Sequence, residues 1–152
     1  MRRCSWAAAA ELQLARPVLD AAGARLVVIS VATPAGGRQF CAKLTPPLPE
    51  ANMFCDPNRE VYSALGLYKG VARTFFNKAT PEAINRRGLD SIKLAATNYT
   101  MIPPPQPADS LQQGGLLVVD GGRTLYAWRD EGTGDHAPIE AVLEACRRAA
   151  TA

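Results

Sequence analysis

The chain has no CxxC pair, a single histidine and no long hydrophobic run. The first absence excludes an adjacent dithiol. The second, with the cysteines scattered, excludes the usual Cys/His spacing of a structural zinc site. The third excludes a membrane-spanning helix, which needs ~18 apolar residues in a row. No basic stripe is present either. The net charge is +3, and the arginines cluster only as short pairs at 2–3, 86–87 and 147–148. A nucleic-acid footprint needs a continuous basic face, so these read as solvated side chains. No GxGxxG pattern occurs, so nucleotide binding has no support. No apolar leader core or acid-poor leader is visible, so no signal or transit peptide is read from the chain.

What is present fits one domain of 152 residues with a real core, since 47% of the chain is apolar and 20% charged. The four cysteines, Cys4, Cys41, Cys55 and Cys146, lie far apart. That usage suits a reducing compartment, with most of them buried as small hydrophobes.

Residues 6–22 read as a helix, with Leu12, Ala15, Leu19 and Ala22 at helical spacing, a kink at Pro17 and a stop at Gly23. ARLVVISVA, 24–32, reads as a strand apolar on both faces, suited to the middle of a covered sheet. Thr33-Pro34 opens a second helix over 34–44. A strand over 52–56 follows. Asp56-Pro57 then caps and starts a helix through Leu65. TPEAINRRGLDSIKLAATNY suggests two short helical pieces, and MIPPPQPADS, 101–110, an irregular surface excursion. GLLVVD and RTLYAW flank Gly121-Gly122 as a hairpin with a type I′ turn. IEAVLEACRRAA closes the chain as an amphipathic helix, with Asp135 as its cap. The sum is an α/β class, with crossovers first and then a hairpin and a terminal helix, as a thioredoxin-like domain is laid out.

Five stretches together carry a family resemblance: DAAGARLVVISVATP, CDPNREVYSALGLYKGVARTFFN, ATNYT, LQQGG and DEGTGDHAP. In that order and spacing, over roughly residues 5–147, the chain resembles the peroxiredoxin-like branch of the thioredoxin superfamily. This branch holds the AhpC/TSA-type antioxidant proteins and the prostamide/prostaglandin F synthase-like members. The resemblance is to the plastid type of plants and algae. It implies a thioredoxin-like mixed sheet flanked by helices, and thiol-dependent reduction of a peroxide or endoperoxide. The implied partners are a thiol electron donor and a small peroxide substrate, with no nucleic acid and no membrane. No cofactor or metal is implied. The implied location is the chloroplast, otherwise the cytoplasm.

The family's redox CxxC follows a central strand and opens a helix. Counting back from DAAG, its two cysteine positions fall on Arg2 and Ser5, with Cys4 beside them. The strand before the motif has no counterpart in the sequence. The expectation is a single thioredoxin-like domain over 1–152, N-terminally truncated relative to the family. Closure of the neighbouring strands, or a strand added by another chain, are the alternatives.

Cys4 is the catalytic candidate. Two arginines and a helix start are the ingredients that favour a thiolate. A resolving thiol would have to come from Cys41, Cys55, Cys146 or an external donor. The competing reading is a thioredoxin-like binding or structural module that has lost its dithiol. Cys41 and Cys146 read as buried structural cysteines, and Cys55 as a packed strand-end residue. His136 reads as a loop-ordering or helix-start residue. The QQGG turn, 112–115, reads as positioning the following strand, and Arg73–Phe76 as a core cluster.

Overall fold

The computed structural model describes residues 3–67, 69, 112–132 and 135–151, the first three through the backbone alone. Two helices open the chain, α1 (Arg3–Leu14) and α2 (Arg16–Ala21), instead of one kinked helix over 6–22. Proline has no N–H to give and crowds the carbonyl four residues back. Stopping at Leu14 and restarting at Arg16 puts Pro17 in a first turn, where that N–H is not required. Gly23 takes φ +69° and donates its N–H to the Asp20 carbonyl at 2.9 Å, ending α2 as expected.

The strand after it is shorter than its composition suggests. β1 (Val28–Ser30) pairs in parallel with β2 (Met53–Cys55), Val28 opposite Met53 and Ser30 opposite Cys55. Before Val28, side chains replace the ladder. Asn52 Nδ2 donates to the Leu26 carbonyl at 2.8 Å, and Arg25 donates to the Ala51 carbonyl at 3.1 Å. The run is not covered on both faces either, since Val27 and Ile29 are 44% and 37% exposed.

Helix α3 (Pro34–Lys43) connects β1 to β2. Thr33 Oγ1 accepts the Gly36 N–H at 3.2 Å, and Pro34 takes the first helical position, both as the sequence predicts. Helix α4 (Glu60–Ala64) is brief. Asp56 does cap it, accepting N–H bonds from Glu60, Val61 and Tyr62 at 2.8, 3.0 and 3.2 Å. The helix begins at Glu60 and not at Pro57, after a turn in which Arg59 adopts φ +63°.

The hairpin is β3 (Gly115–Asp120) and β4 (Arg123–Arg129). Gly121 and Gly122 have φ +53° and +79°, the left-handed pair a type I′ turn demands. The register shifts between Val118 and Val119, leaving Leu125 as the extra residue of a bulge. The last helix, α5 (Ile139–Ala150), buries Val142, Leu143, Ala145 and Cys146. Its cap position is Pro138, with no side-chain bond. Asp135, expected there, accepts the Glu131 N–H at 3.1 Å instead.

Two apolar clusters hold these parts together. Trp6, Ala9 and Ala10 of α1 pack with Phe40, Cys41 and Leu44 of α3. Leu19 of α2 packs with Leu143 and Cys146 of α5. The mixture of helices with a parallel and an antiparallel strand pair is the α/β, thioredoxin-like class expected. Among the described residues no helix is long and apolar enough to cross a membrane. The helical pieces after Thr80-Pro81, the Arg73–Phe76 cluster and the Pro-rich 101–110 lie outside the described residues.

At the α3–β2 contact the backbone of Gly37 is pressed on a sulfur. A Cβ there would stand 2.7 Å from Cys55 Sγ. Gly37→Ala is expected to lower stability by about 1–3 kcal/mol, the usual cost of overpacking. Adding Cys55→Ala should recover most of that loss. Urea unfolding of both single variants and the double variant measures the coupling. Additive effects would show that the two groups do not compete for space.

Candidate functional site

The hairpin carries the chain to Asp130, whose N–H donates to the Gly114 carbonyl at 3.0 Å. This ties the end of β4 to the start of β3. The carboxylate is buried, 5% exposed, and Oδ2 lies 2.8 Å from His136 Nδ1. Gly114 leaves it room, since a Cβ there would stand 3.1 Å from Oδ2. A buried carboxylate requires a partner, and the imidazole supplies one. The Nδ1–Oδ2 hydrogen bond sets the orientation of the ring. Nε2 is buried and has no hydrogen-bond partner among the described residues. The intervening loop is closed by Asp135. Its carbonyl accepts from Trp128 Nε1 at 3.0 Å and its carboxylate from the Glu131 N–H. His136 thus orders the loop, as its lone position in the sequence suggests.

This pair forms one wall of a small cleft of about 70 Å³. Ala8, Glu11 and Leu12 of α1 form another wall, and Gly115, Leu116, Ala137 and Ile139 complete it. The cleft therefore lies along the helix that begins beside Cys4. Cys4 is in the first turn of α1, and its side chain lies outside the described residues, as does Arg2.

The other cysteines are placed clearly. Cys41 is buried on α3, where burial first, then the charges of Glu50 and Cys55, push its thiol pKa up. Cys146 is buried on α5, and burial raises its pKa too. Both are poor thiolates and act as core residues, as their apolar surroundings in the sequence indicate. Cys55 is half-buried, and its Sγ donates to the Thr33 carbonyl at 3.5 Å. In the QQGG turn, Gln112 Nε2 donates to the Leu67 carbonyl at 3.2 Å and Gln113 is buried, so the turn positions β3. Among the described residues no group of three His, Cys, Asp or Glu side chains is arranged to hold a metal ion.

Two contributors escape sequence reasoning. Asp130 is one acid among three in its loop, and nothing marks it as the buried one. Tyr62 lies on the short α4 and donates its hydroxyl to the Ile29 carbonyl of β1 at 3.0 Å. Burial, then the charges of Asp56 and Asp130, push its pKa up to about 12. Only the fold brings these groups near one another.

Comparison with known proteins gives a consistent picture. The family described as AhpC/TSA antioxidant enzyme matches residues 11–132. Thioredoxin-like protein AAED1, chloroplastic, of Arabidopsis thaliana is 30% identical over 143 residues, 91% of this chain and 54% of that protein. Peroxiredoxin-like 2C of Homo sapiens is 30% identical over 135 residues, 87% of this chain and 57% of that protein. The mouse protein of the same name matches to the same extent. The chain thus spans just over half the length of the curated relatives it matches. No solved structure matches it. The family match starts after Cys4 and ends before His136.

Tyr62 generates a pH dependence. Its neutral form is favoured in the folded state, so its contribution is complete below the ordinary phenol value of 10.0. That contribution is lost as the pH climbs from there towards about 12. Tyr62→Phe should be less stable than the parent at pH 8 by about 0.5–1.5 kcal/mol, a typical net hydrogen bond. It should lack the parent's added loss of stability above pH 10. Thermal melts of both proteins across this range check it, and parallel pH curves would refute it.

Proposed function

The chain belongs to the AhpC/TSA antioxidant-enzyme family, and from that premise we propose that it is a thiol-dependent reductase of peroxides or endoperoxides with Cys4 as the nucleophile. Membership of a peroxiredoxin-like, thioredoxin-fold family supports a redox-related function. The observation that carries the assignment to Cys4 is positional. Cys4 stands in the first turn of the twelve-residue α1, between Arg3 and Ser5. Helix N-termini and neighbouring cations both favour a thiolate. Cys41 and Cys146 are buried with raised pKa values, which disfavours them.

In the proposed reaction on a hydroperoxide the Cys4 thiolate attacks the terminal, hydrogen-bearing oxygen. The O–O bond breaks, the departing alkoxide takes a proton and leaves as an alcohol, and Cys4 becomes a sulfenic acid. A donor thiol condenses with the sulfenic acid, forming a mixed disulfide and releasing water. On an endoperoxide the same attack gives a tethered sulfenate ester, which a donor thiol cleaves to the mixed disulfide and the diol. A second donor thiol attacks that disulfide, which restores Cys4 and leaves the donor oxidised. An external donor suits this chain because the family's paired positions hold Arg2 and Ser5.

The same two residues favour a second reading, a thioredoxin-like binding module without catalysis. Peroxide consumption with a thiol donor separates the two. The parent protein should consume peroxide and Cys4→Ser should fall to the uncatalysed rate. Equal rates in the two proteins remove Cys4 from the mechanism, and no rate in either favours the binding module.

We also propose a plastid location, since the Arabidopsis relative is named as chloroplastic. Immunodetection should find the protein in intact plastids, protected from added protease. A protease-sensitive signal outside plastids would count against it.

A further inference from the structure

Cys41 and Cys55 are two of the three thiols for which the redox reading above has no use, and both lie beside Gly37 of α3. α3 packs on β2, and at Gly37 the two elements are too close for a side chain. Cys55 Sγ fills the space where a side chain at 37 would stand, 2.7 Å from the Cβ position, and donates to the Thr33 carbonyl one turn earlier. Cys41 is one turn later on the same helix face. Helical side chains lean towards the helix N-terminus, so a residue at i+4 reaches back over residue i. Cys41 therefore leans towards Gly37, the residue that the Cys55 sulfur already covers. Cys55 lies near enough for its charge to add to the upward push that burial gives the Cys41 pKa. A disulfide needs the two Cα atoms within about 7 Å and converging Cβ vectors. The Met53 side chain also borders the notch at Gly37, 3.6 Å from the same Cβ position.

We propose that Cys41 and Cys55 form a dithiol pair of their own, which closes to an intramolecular disulfide across the Gly37 notch when met by a small-molecule disulfide of two monothiols. Cys55 is half-buried and Cys41 is buried, so their roles differ. The Cys55 thiolate attacks one sulfur of the oxidant's disulfide, whose S–S bond breaks and releases one thiol. Cys55 is now a mixed disulfide. Cys41 attacks the Cys55 sulfur, its proton passing to the departing thiolate, and the oxidant's second thiol is expelled. Two protein thiols have lost two electrons and two protons, and the oxidant has gained them. The buried partner never has to reach solvent, because its attack is internal. The closed pair would fasten α3 to β2 covalently, and a reducing thiol in excess would reopen it.

The test uses the full chain with Cys4→Ser and Cys146→Ser, which leaves only the two thiols in question. The protein is incubated with oxidised glutathione and free thiols are counted after denaturation. Non-reduced peptide mapping follows. The expected result is a fall from two free thiols to none, a single Cys41–Cys55 cross-linked peptide, a monomeric product and full recovery with dithiothreitol. In the same background Cys41→Ala should stop at a mixed disulfide on Cys55, and Cys55→Ala should keep its Cys41 thiol free. Persistence of two thiols, glutathione retained on Cys55 with Cys41 intact, or cross-links only between chains would each overturn the proposal. Circular dichroism of each variant confirms that it is folded. Because Cys4 is absent throughout, the outcome is independent of whether Cys4 reduces peroxides.

Discussion

The rings of Trp6 and Phe40 meet edge to face, with centroids 4.8 Å apart and planes at 75°. Both rings are almost wholly buried, and they join α1 to α3. The edge-to-face arrangement contributes about 0.5–1.5 kcal/mol beyond burial itself. Its larger effect is geometric. Trp6 lies two residues after Cys4, so the same contact that closes the core fixes the opening turn of α1. Leu44, Leu48 and Cys41 complete the surroundings of these rings. The small alanines at 9 and 10 let the helix approach closely, which explains an alanine-rich segment better than helix propensity alone. The other side of the helix is left for the cleft at Ala8 and Leu12.

Local chemistry was the legible part of the sequence. Thr33-Pro34, Gly23 and the Gly121-Gly122 turn each act through backbone groups within a few residues, and each operates as the sequence predicts, while Asp56 bonds the first N–H groups of a helix that begins three residues later than expected. Extent was less legible. The apolar run 24–32 has strand composition throughout, yet only three residues pair, because Asn52 and Arg25 engage the chain and its flank before Val28. Asp135 shows the same limit. A carboxylate ahead of a helix is a natural cap, but the Glu131 N–H inside its own loop binds it first. Of the site, the placement of Cys4 at a helix start was readable. The burial of Asp130 and its bond to His136 were not, because burial is decided by elements far away in the chain.

The cysteines also illustrate how environment divides identical side chains. Cys41 and Cys146 occupy the two separate apolar clusters, and removal from water disfavours their charged forms. Cys55 stands at a strand end with a carbonyl to bond, and Cys4 at the start of a helix. Composition counts four equivalent thiols, whereas the fold sorts them by access to water and by neighbouring dipoles.

Leu26 belongs to the lining of both apolar clusters, touching the group around Phe40 and the group around Leu143. One side chain is thus a party wall between two compartments. Loss of α5 from its seat would strip one side of that wall and loosen the other compartment with it. The two clusters should therefore open together as one cooperative unit in hydrogen exchange, and α1 should share the protection of the carboxyl-terminal helix despite their distance in sequence.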